Sequence, residues 1–164
     1  MSFIAQRQVK SSATDIADLD DGEAAITGDA FWPVVKLRDL RLAARIGGDI
    51  TTTRLQHVAS EAFLHVCDQL ADWRAARQLE GVAALADVEA PVINGESARV
   101  YRFRRAVYSQ ARALILEEYR DVSTTQKGDK DAKALDIQIG DLWRDVRFCV
   151  ADIQSLPRIY SEMF

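Results

Sequence analysis

Very little in this chain is equipped for covalent or metal chemistry. Two cysteines, Cys67 and Cys149, are too few for a disulfide framework, and both fall within amphipathic helical patterns, where cysteine packs as a small hydrophobe. The only two histidines, His57 and His65, are eight apart, or about 12 Å along one face of a helix. That is too far to share a metal ion, and the i, i+4 pair of a zinc-binding helix is missing. No glycine-rich phosphate loop is present, because Arg45-Ile46-Gly47-Gly48-Asp49 lacks both the glycine spacing and the Lys-Ser/Thr ending. A calcium loop centred on Gly22 fails as well: Ala17, Leu19 and Gly28 would occupy its first, third and twelfth places, and none is a carboxylate. An enzyme is therefore not expected, nor a cofactor or a bound metal. No apolar run approaches the roughly 20 residues of a membrane span. The N-terminus lacks the basic-then-apolar layout of a signal peptide, so synthesis and use in the cytoplasm, with no membrane partner, is the expectation.

What is present is helical periodicity. With 164 residues, 48% of them hydrophobic and 28% charged, the chain has the composition of one ordinary globular domain. Leu135, Ile139, Leu142, Val146, Cys149, Ile153 and Leu156 recur at steps of four and three, placing seven apolar side chains on one seam of a long helix. Val100, Phe103, Val107, Ala111, Leu114 and Glu118 repeat the spacing before it, and only Glu118 breaks the apolar stripe. The two segments predict an αα-hairpin. Upstream, Thr51, Thr52 or Thr53 caps a helix whose seam is Leu55, Ala59, Ala62, Val66 and Trp73, with Phe63 and Leu70 beside it and Gly81 closing it. A shorter arginine-rich helix spans about Leu37–Ile46 and ends at Gly47-Gly48. Residues 82–93 read as a loop with at most a short turn, and Asn94-Gly95 as the entry to the next helix. No segment alternates as a half-buried strand does, so the class is all-α: a small bundle of three long helices plus a short first one.

Charge is unevenly distributed. Residues 1–30 hold two basic and six acidic side chains, a local net of −4, while residues 31–164 hold 19 of each. Residues 1–30 are predicted to be a flexible acidic arm, 31–156 the helical domain and 157–164 an apolar tail. A neutral body is poorly suited to gripping DNA, whose affinity comes largely from neutralised phosphates; it suits a protein past which DNA moves. Sixteen arginines against five lysines favour protein interfaces, where the planar guanidinium pairs bidentately with carboxylates. Arg99, Arg102, Arg105 and Arg112 lie near one face of the first hairpin helix, suited to Asp141, Asp145 and Asp152 of a neighbouring copy or to intramolecular pairs on a solvated face. Beyond Pro157, Ile159, Tyr160, Met163 and Phe164 form an apolar terminus that either folds back on the bundle or anchors in a partner; the partner reading is preferred.

Asn94-Gly95-Glu96-Ser97, Arg105-Ala106-Val107, Leu116 to Arg120, Lys127-Gly128-Asp129-Lys130, Asp141 to Ala151, Ile153-Gln154 and Pro157-Arg158 together resemble the phage head completion, or gpL-type, family. The resemblance covers residues 31–158 and is specific after residue 93; in the first half it rests on Phe31-Trp32-Pro33. It implies a virion protein, assembled in the bacterial cytoplasm, that joins the portal of a filled head as a head-tail connector in a homo-oligomeric ring of twelve. Its partners would be the portal protein, neighbouring copies, a downstream tail or connector protein, and passing genomic DNA bound without sequence specificity. On this reading Lys127, Gly128, Asp129 and Lys130 form a loop facing the channel or a ring neighbour, while their bare chemistry requires only a helix end at Gly128 and a cap at Asp129. Ile159, Tyr160, Met163 and Phe164 would dock on the portal. The rival from another class is a small helical DNA-binding regulator, which needs a helix-turn-helix over Leu37–Arg54.

Overall fold

A computed structural model describes residues 21–122 and 129–158. The chain runs β1 (Ala25–Ile26), β2 (Val35–Lys36), α1 (Leu37–Ala43), α2 (Thr52–Gln69), α3 (Ala71–Leu79), a 3-10 turn (Leu85–Asp87), β3 (Val92–Ile93), β4 (Glu96–Ser97), α4 (Ala98–Val122) and α5 (Asp129–Gln154). The fold is mainly α, as expected, with two minimal antiparallel ladders, β1 with β2 and β3 with β4.

Helices α4 and α5 form the hairpin that the periodicity predicts. Val100, Phe103, Val107 and Ala111 are buried on α4, and Ile139, Val146, Cys149 and Ile153 on α5. Seam members Leu135 and Leu142 are half-buried, and Leu156, beyond the helix, is 53% exposed. On its other side α4 packs against α2, which buries Leu55, Val58, Ala59, Ala62, Phe63 and Val66. Thr51 caps α2, its hydroxyl accepting from the Arg54 amide at 3.3 Å.

Three local expectations are corrected. The helix predicted to run on to Gly81 is two helices, because α2 stops at Leu70, a wholly buried residue at φ −102°, ψ 3° from which α3 departs. Leu70 thus reaches the core without continuing the α2 ladder. Helix α1 ends not at Gly47-Gly48 but through Arg45 at φ 52°. The Ile46 amide donates to the Arg41 carbonyl at 3.0 Å, and burial of Ile46 outweighs the left-handed strain at a non-glycine residue. Ser155, at φ 58°, ends α5 in the same way, two residues before Pro157. Asn94-Gly95 is no helix entry: with φ 51° and 79° it is the tight turn of the β3–β4 hairpin, the conformation that Asn-Gly favours between strands.

The arm is also shorter than residues 1–30. Residues 21–30 lie against the body: Ile26 is buried, Ala25–Ile26 pair with Val35–Lys36, and the Asp21 side chain is 1% exposed. Residues 1–20 lie outside the described residues. Where the chain enters the core, Trp32 stacks on Phe103 at 4.9 Å between centroids, Phe31 meets Trp32 edge-on, and Phe63 meets Phe103 edge-on at 5.4 Å. A β-carbon at Gly28 would come within 2.9 Å of the Phe63 ring, so this close approach requires glycine.

Candidate interaction face of the helical hairpin

On a helix, residues three, four and seven apart share a face, and Tyr101, Arg104, Arg105, Tyr108, Ser109 and Arg112 line one side of α4. Between α1 and α5 that side floors a cleft of about 490 Å³, walled by Asp39, Ala43 and Ala44 from α1 and by Leu142 and Asp145 from α5. Arg105 donates to Asp145 through Nε at 2.9 Å and Nη2 at 2.7 Å, and the Ser109 hydroxyl donates to the same carboxylate at 2.7 Å. The hydrogen bonds from Asp145 hold the Arg105 guanidinium well above its ordinary pKa. Arg104 pairs with Glu96 on β4, leaving its own Nε a buried donor without an acceptor. Arg112 has no ion-pair or hydrogen-bond partner among the described residues. Desolvation pushes the Tyr108 hydroxyl up to about 12, with Asp39 adding to the shift.

Further along the hairpin, Arg158 grips Asp152 through Nε at 3.0 Å and Nη2 at 2.6 Å, and Arg102 adds a contact at 3.4 Å. The Arg158 hydrogen bonds lower the Asp152 pKa despite its partial burial. Arg99 ties the hairpin end to the preceding loop: it donates to the carbonyls of Glu89 and Ile153 and to the Ser155 hydroxyl, and lies over Trp73. Accepting carbonyls at the end of α5 are natural sites for a cation. Burial, and then the nearby Arg102 and Arg77, lower the Arg99 pKa.

The seven residues expected at a subunit contact therefore behave differently from one another. Arg105 with Asp145, and Arg102 with Asp152, are pairs within the chain; Asp141 pairs with Arg144 one turn along α5, and Arg99 serves carbonyls. The fork-to-carboxylate geometry was legible, but its acceptors belong to the same molecule. Arg112 alone stands without an acceptor. Of the expected channel loop, Asp129 and Lys130 open α5, whereas Lys127 and Gly128 lie outside the described residues, as do Ile159, Tyr160, Met163 and Phe164.

One pairing escaped the sequence reading. Arg41 is 2% exposed: its Nε and Nη2 donate to Asp21 at 2.8 Å each, and its Nη1 donates to the Gly47 and Ile50 carbonyls at 2.9 Å. Thr52 donates to Asp21 at 2.6 Å. The Arg41 hydrogen bonds hold the Asp21 carboxyl below its ordinary value against the opposing effect of burial. A signal for it existed, since Leu37, Leu40, Arg41 and Ala44 occupy one helical face and put an arginine among core positions.

Neither Cys67 nor Cys149 is set up as a nucleophile. Burial pushes both cysteine thiols up to about 12, leaving them protonated at neutral pH. Among the described residues no group of three or more His, Cys, Asp or Glu is placed to hold a metal ion, and no described helix is long and apolar enough to cross a membrane.

Comparison with known proteins extends what the motifs suggested. The "Head completion/stabilization protein" of Escherichia phage P2 is 35% identical over 136 residues, covering 83% of this chain and 80% of that protein. No solved structure matches. The family correspondence starts earlier and ends later than the motif resemblance over 31–158, taking in Ile26 of β1 and the apolar terminus. Matching the phage head completion protein (GPL) family over residues 26–164, the chain belongs to that family, one of structural phage head proteins rather than enzymes.

Proposed function

We infer that the protein completes filled phage heads by seating on the portal vertex as a ring of copies, helping to retain the packaged genome and preparing the head for tail attachment. The observation that carries this reading is the family match across nearly the whole folded body, joined to a relative whose name describes head completion and stabilisation. The geometry is compatible with it. Helix α5 is about 39 Å long, so the α4–α5 connection containing Lys127 and Gly128 and the terminus beginning at Ile159 leave from opposite ends of the hairpin. One end is available for a channel or ring neighbour while the other holds the portal through Ile159, Tyr160, Met163 and Phe164.

Surface charge also fits a templated ring. With most interface arginines already paired at home, contacts between free copies are weak, and avidity arises once the portal arrays them. The free protein is accordingly monomeric except at high concentration. Electron microscopy of filled heads with and without the protein tests the reading: added density at the portal vertex is expected, and its absence would overturn it. A chain lacking 159–164 should keep its helical circular dichroism yet fail to pellet with filled heads or restore their DNA retention. Normal binding by that truncation would move the docking site to the helix faces.

The DNA-binding alternative is disfavoured by the charge balance of residues 31–164, with 19 basic and 19 acidic side chains. In the Leu37–Arg54 region Arg41 is buried in its ion pair and so is not offered to a phosphate, while Arg38, Arg45 and Arg54 are exposed, Arg54 in a surface pair with Glu118. Salt-dependent DNA binding by the isolated protein would revive it.

A further inference from the structure

Two sets of charges without an ion-pair or hydrogen-bond partner among the described residues lie on different elements. Beside α1 and on α4 stand Arg45 and Arg112; on α2 and at the start of α3 stand the exposed carboxylates Glu61, Asp68 and Asp72. Helix α2 turns Leu55, Val58, Ala59, Ala62, Phe63 and Val66 to the core. At about 3.6 residues per turn, Glu61, Leu64 and Asp68 fall on its opposite side. Leu64, between the two acids, is 58% exposed. We propose that this acidic stripe of α2 docks into the cleft between α1, α4 and α5 of a neighbouring copy, with Leu64 meeting Ala43 and Leu142 and with Asp68 pairing with Arg112.

Spacing and charge both support the match. Glu61 and Asp68 are seven residues apart, as are Arg105 and Arg112, so each pair spans about 10.5 Å of its own helix. Arg112 lines the 490 Å³ cleft and also an adjoining groove of about 140 Å³, where Arg45 joins it. Asp72 follows Asp68 at the start of α3. The two unpartnered arginines and these two acids therefore coincide at one end when the docked helices run parallel, which sets Glu61 beside Arg105, itself 52% exposed. Asp39 and Asp49 line the same hollows and oppose incoming carboxylates, which keeps the contact weak between free copies. The stripe points away from α4 whereas α4 floors the cleft, so a molecule cannot close the contact on itself. Two different faces make a heterologous contact, the kind that yields a ring when its rotation closes. The proposal rests on the ring within the reading above and supplies its two faces.

The test is sedimentation velocity of the full-length protein up to its highest soluble concentration, with circular dichroism confirming that each variant is folded. Wild type should grow past the dimer as concentration rises. Arg112→Glu spoils only the cleft and Leu64→Glu only the stripe, so each variant alone should self-associate about tenfold more weakly, since like charges are then brought together. Mixed in equal amounts, the two should associate again but stop at the dimer, because each pair retains one intact cleft and one intact stripe that can meet. The charge swap Arg112→Glu with Asp68→Arg should recover growth. Wild type that stays monomeric or saturates at a dimer would overturn the proposal, as would single variants that associate like wild type, a mixture that stays monomeric, or a swap without recovery. Failure of the portal reading is distinguishable. Filled heads that gain no density while the mixture still stops at the dimer would remove the portal and keep the contact. Heads that gain the same density with Leu64→Glu as with wild type would remove the contact and keep the portal.

Discussion

The α4–α5 hairpin and the region around α1 hold themselves together by opposite means. The hairpin buries a periodic apolar seam and keeps its charges at the surface: the Arg105 side chain is 52% exposed and Asp145 26%. Around α1 a single ion pair, 2% and 1% exposed, sits inside the core and fixes where the N-terminal segment joins the body. Surface pairs contribute little because water and salt screen them. A buried pair gains little net stability either, since desolvation offsets its attraction, but breaking one partner leaves a charge stranded. The seam thus supplies stability, whereas the Asp21–Arg41 pair specifies how residues 21–50 are arranged on the body.

The comparison breaks first if the seam is not where the stability resides. Val146 is 1% exposed on α5, and Val146→Asp places a carboxylate among apolar side chains at a cost of several kcal/mol. Against a typical domain stability of about 5–15 kcal/mol, the variant should be unfolded or melt far below the wild type by circular dichroism. A melting temperature within about a degree of wild type would remove the seam from the account.

Next in size is the buried pair. Arg41→Met retains most of the side-chain bulk but strands Asp21, for an expected loss of about 3–5 kcal/mol. Adding Asp21→Leu should recover most of it, because replacing both partners leaves no uncompensated charge. Thr52 would lose an acceptor in that double variant, so recovery is expected to be incomplete. Chemical denaturation of the two single variants and the double variant gives the coupling directly. Additive losses would mean that the pair is not the unit that holds the segment.

These two regions were not equally legible in the sequence. Seams at steps of three and four survive into the structure because a helix presents its side chains periodically, and the hairpin and the body of α2 follow from that, while the threonine run narrowed the cap to Thr51, Thr52 or Thr53 without choosing among them. What the periodicity could not show was non-local or non-periodic. Asp21 and Arg41 are twenty residues apart, Trp32 reaches Phe103 across the fold, and Leu70 interrupts a helix that its apolar spacing would continue. Asn94-Gly95 was misread for a different reason: its turn signal is ambiguous until Val92–Ile93 and Glu96–Ser97 are seen to pair. At the candidate site the arginine stripe was legible, but the cleft beside it depends on where α1 packs, and no pattern in α4 or α5 encodes that.

Acid sharpens the comparison at intermediate size. Asp21 and Asp152 both have folded pKa values lowered by arginine hydrogen bonds. A lowered carboxyl adds stability that is complete above its unfolded value, ~3.9, and is lost as pH falls from there through the folded value. Melting temperature should therefore be flat from neutrality down to about pH 5 and drop steeply below pH ~4. In the double variant lacking Asp21 and Arg41 the drop should be shallower, while Asp152→Asn, at a side chain 15% exposed, should flatten it less. Equal flattening by the two would deny that burial distinguishes them.

The smallest effect belongs to the surface pair that looks best on geometry alone. Arg105 and Asp145 make two hydrogen bonds of 2.9 and 2.7 Å, yet half of the arginine side chain faces water, and Asp145 keeps the Ser109 hydroxyl when the guanidinium is removed. Arg105→Ala should cost about 0.5 kcal/mol, within the range of exposed pairs, which for a chain of this size shifts the melting temperature by about 1–2 °C. Raising salt to about 1 M, where the screening length is about 3 Å, should erase that difference, while the loss from Arg41→Met persists because its pair excludes solvent. If Arg105→Ala were instead as damaging as Arg41→Met and indifferent to salt, geometry rather than burial would set the worth of these pairs, and the hairpin would be held by its arginine face as much as by its seam.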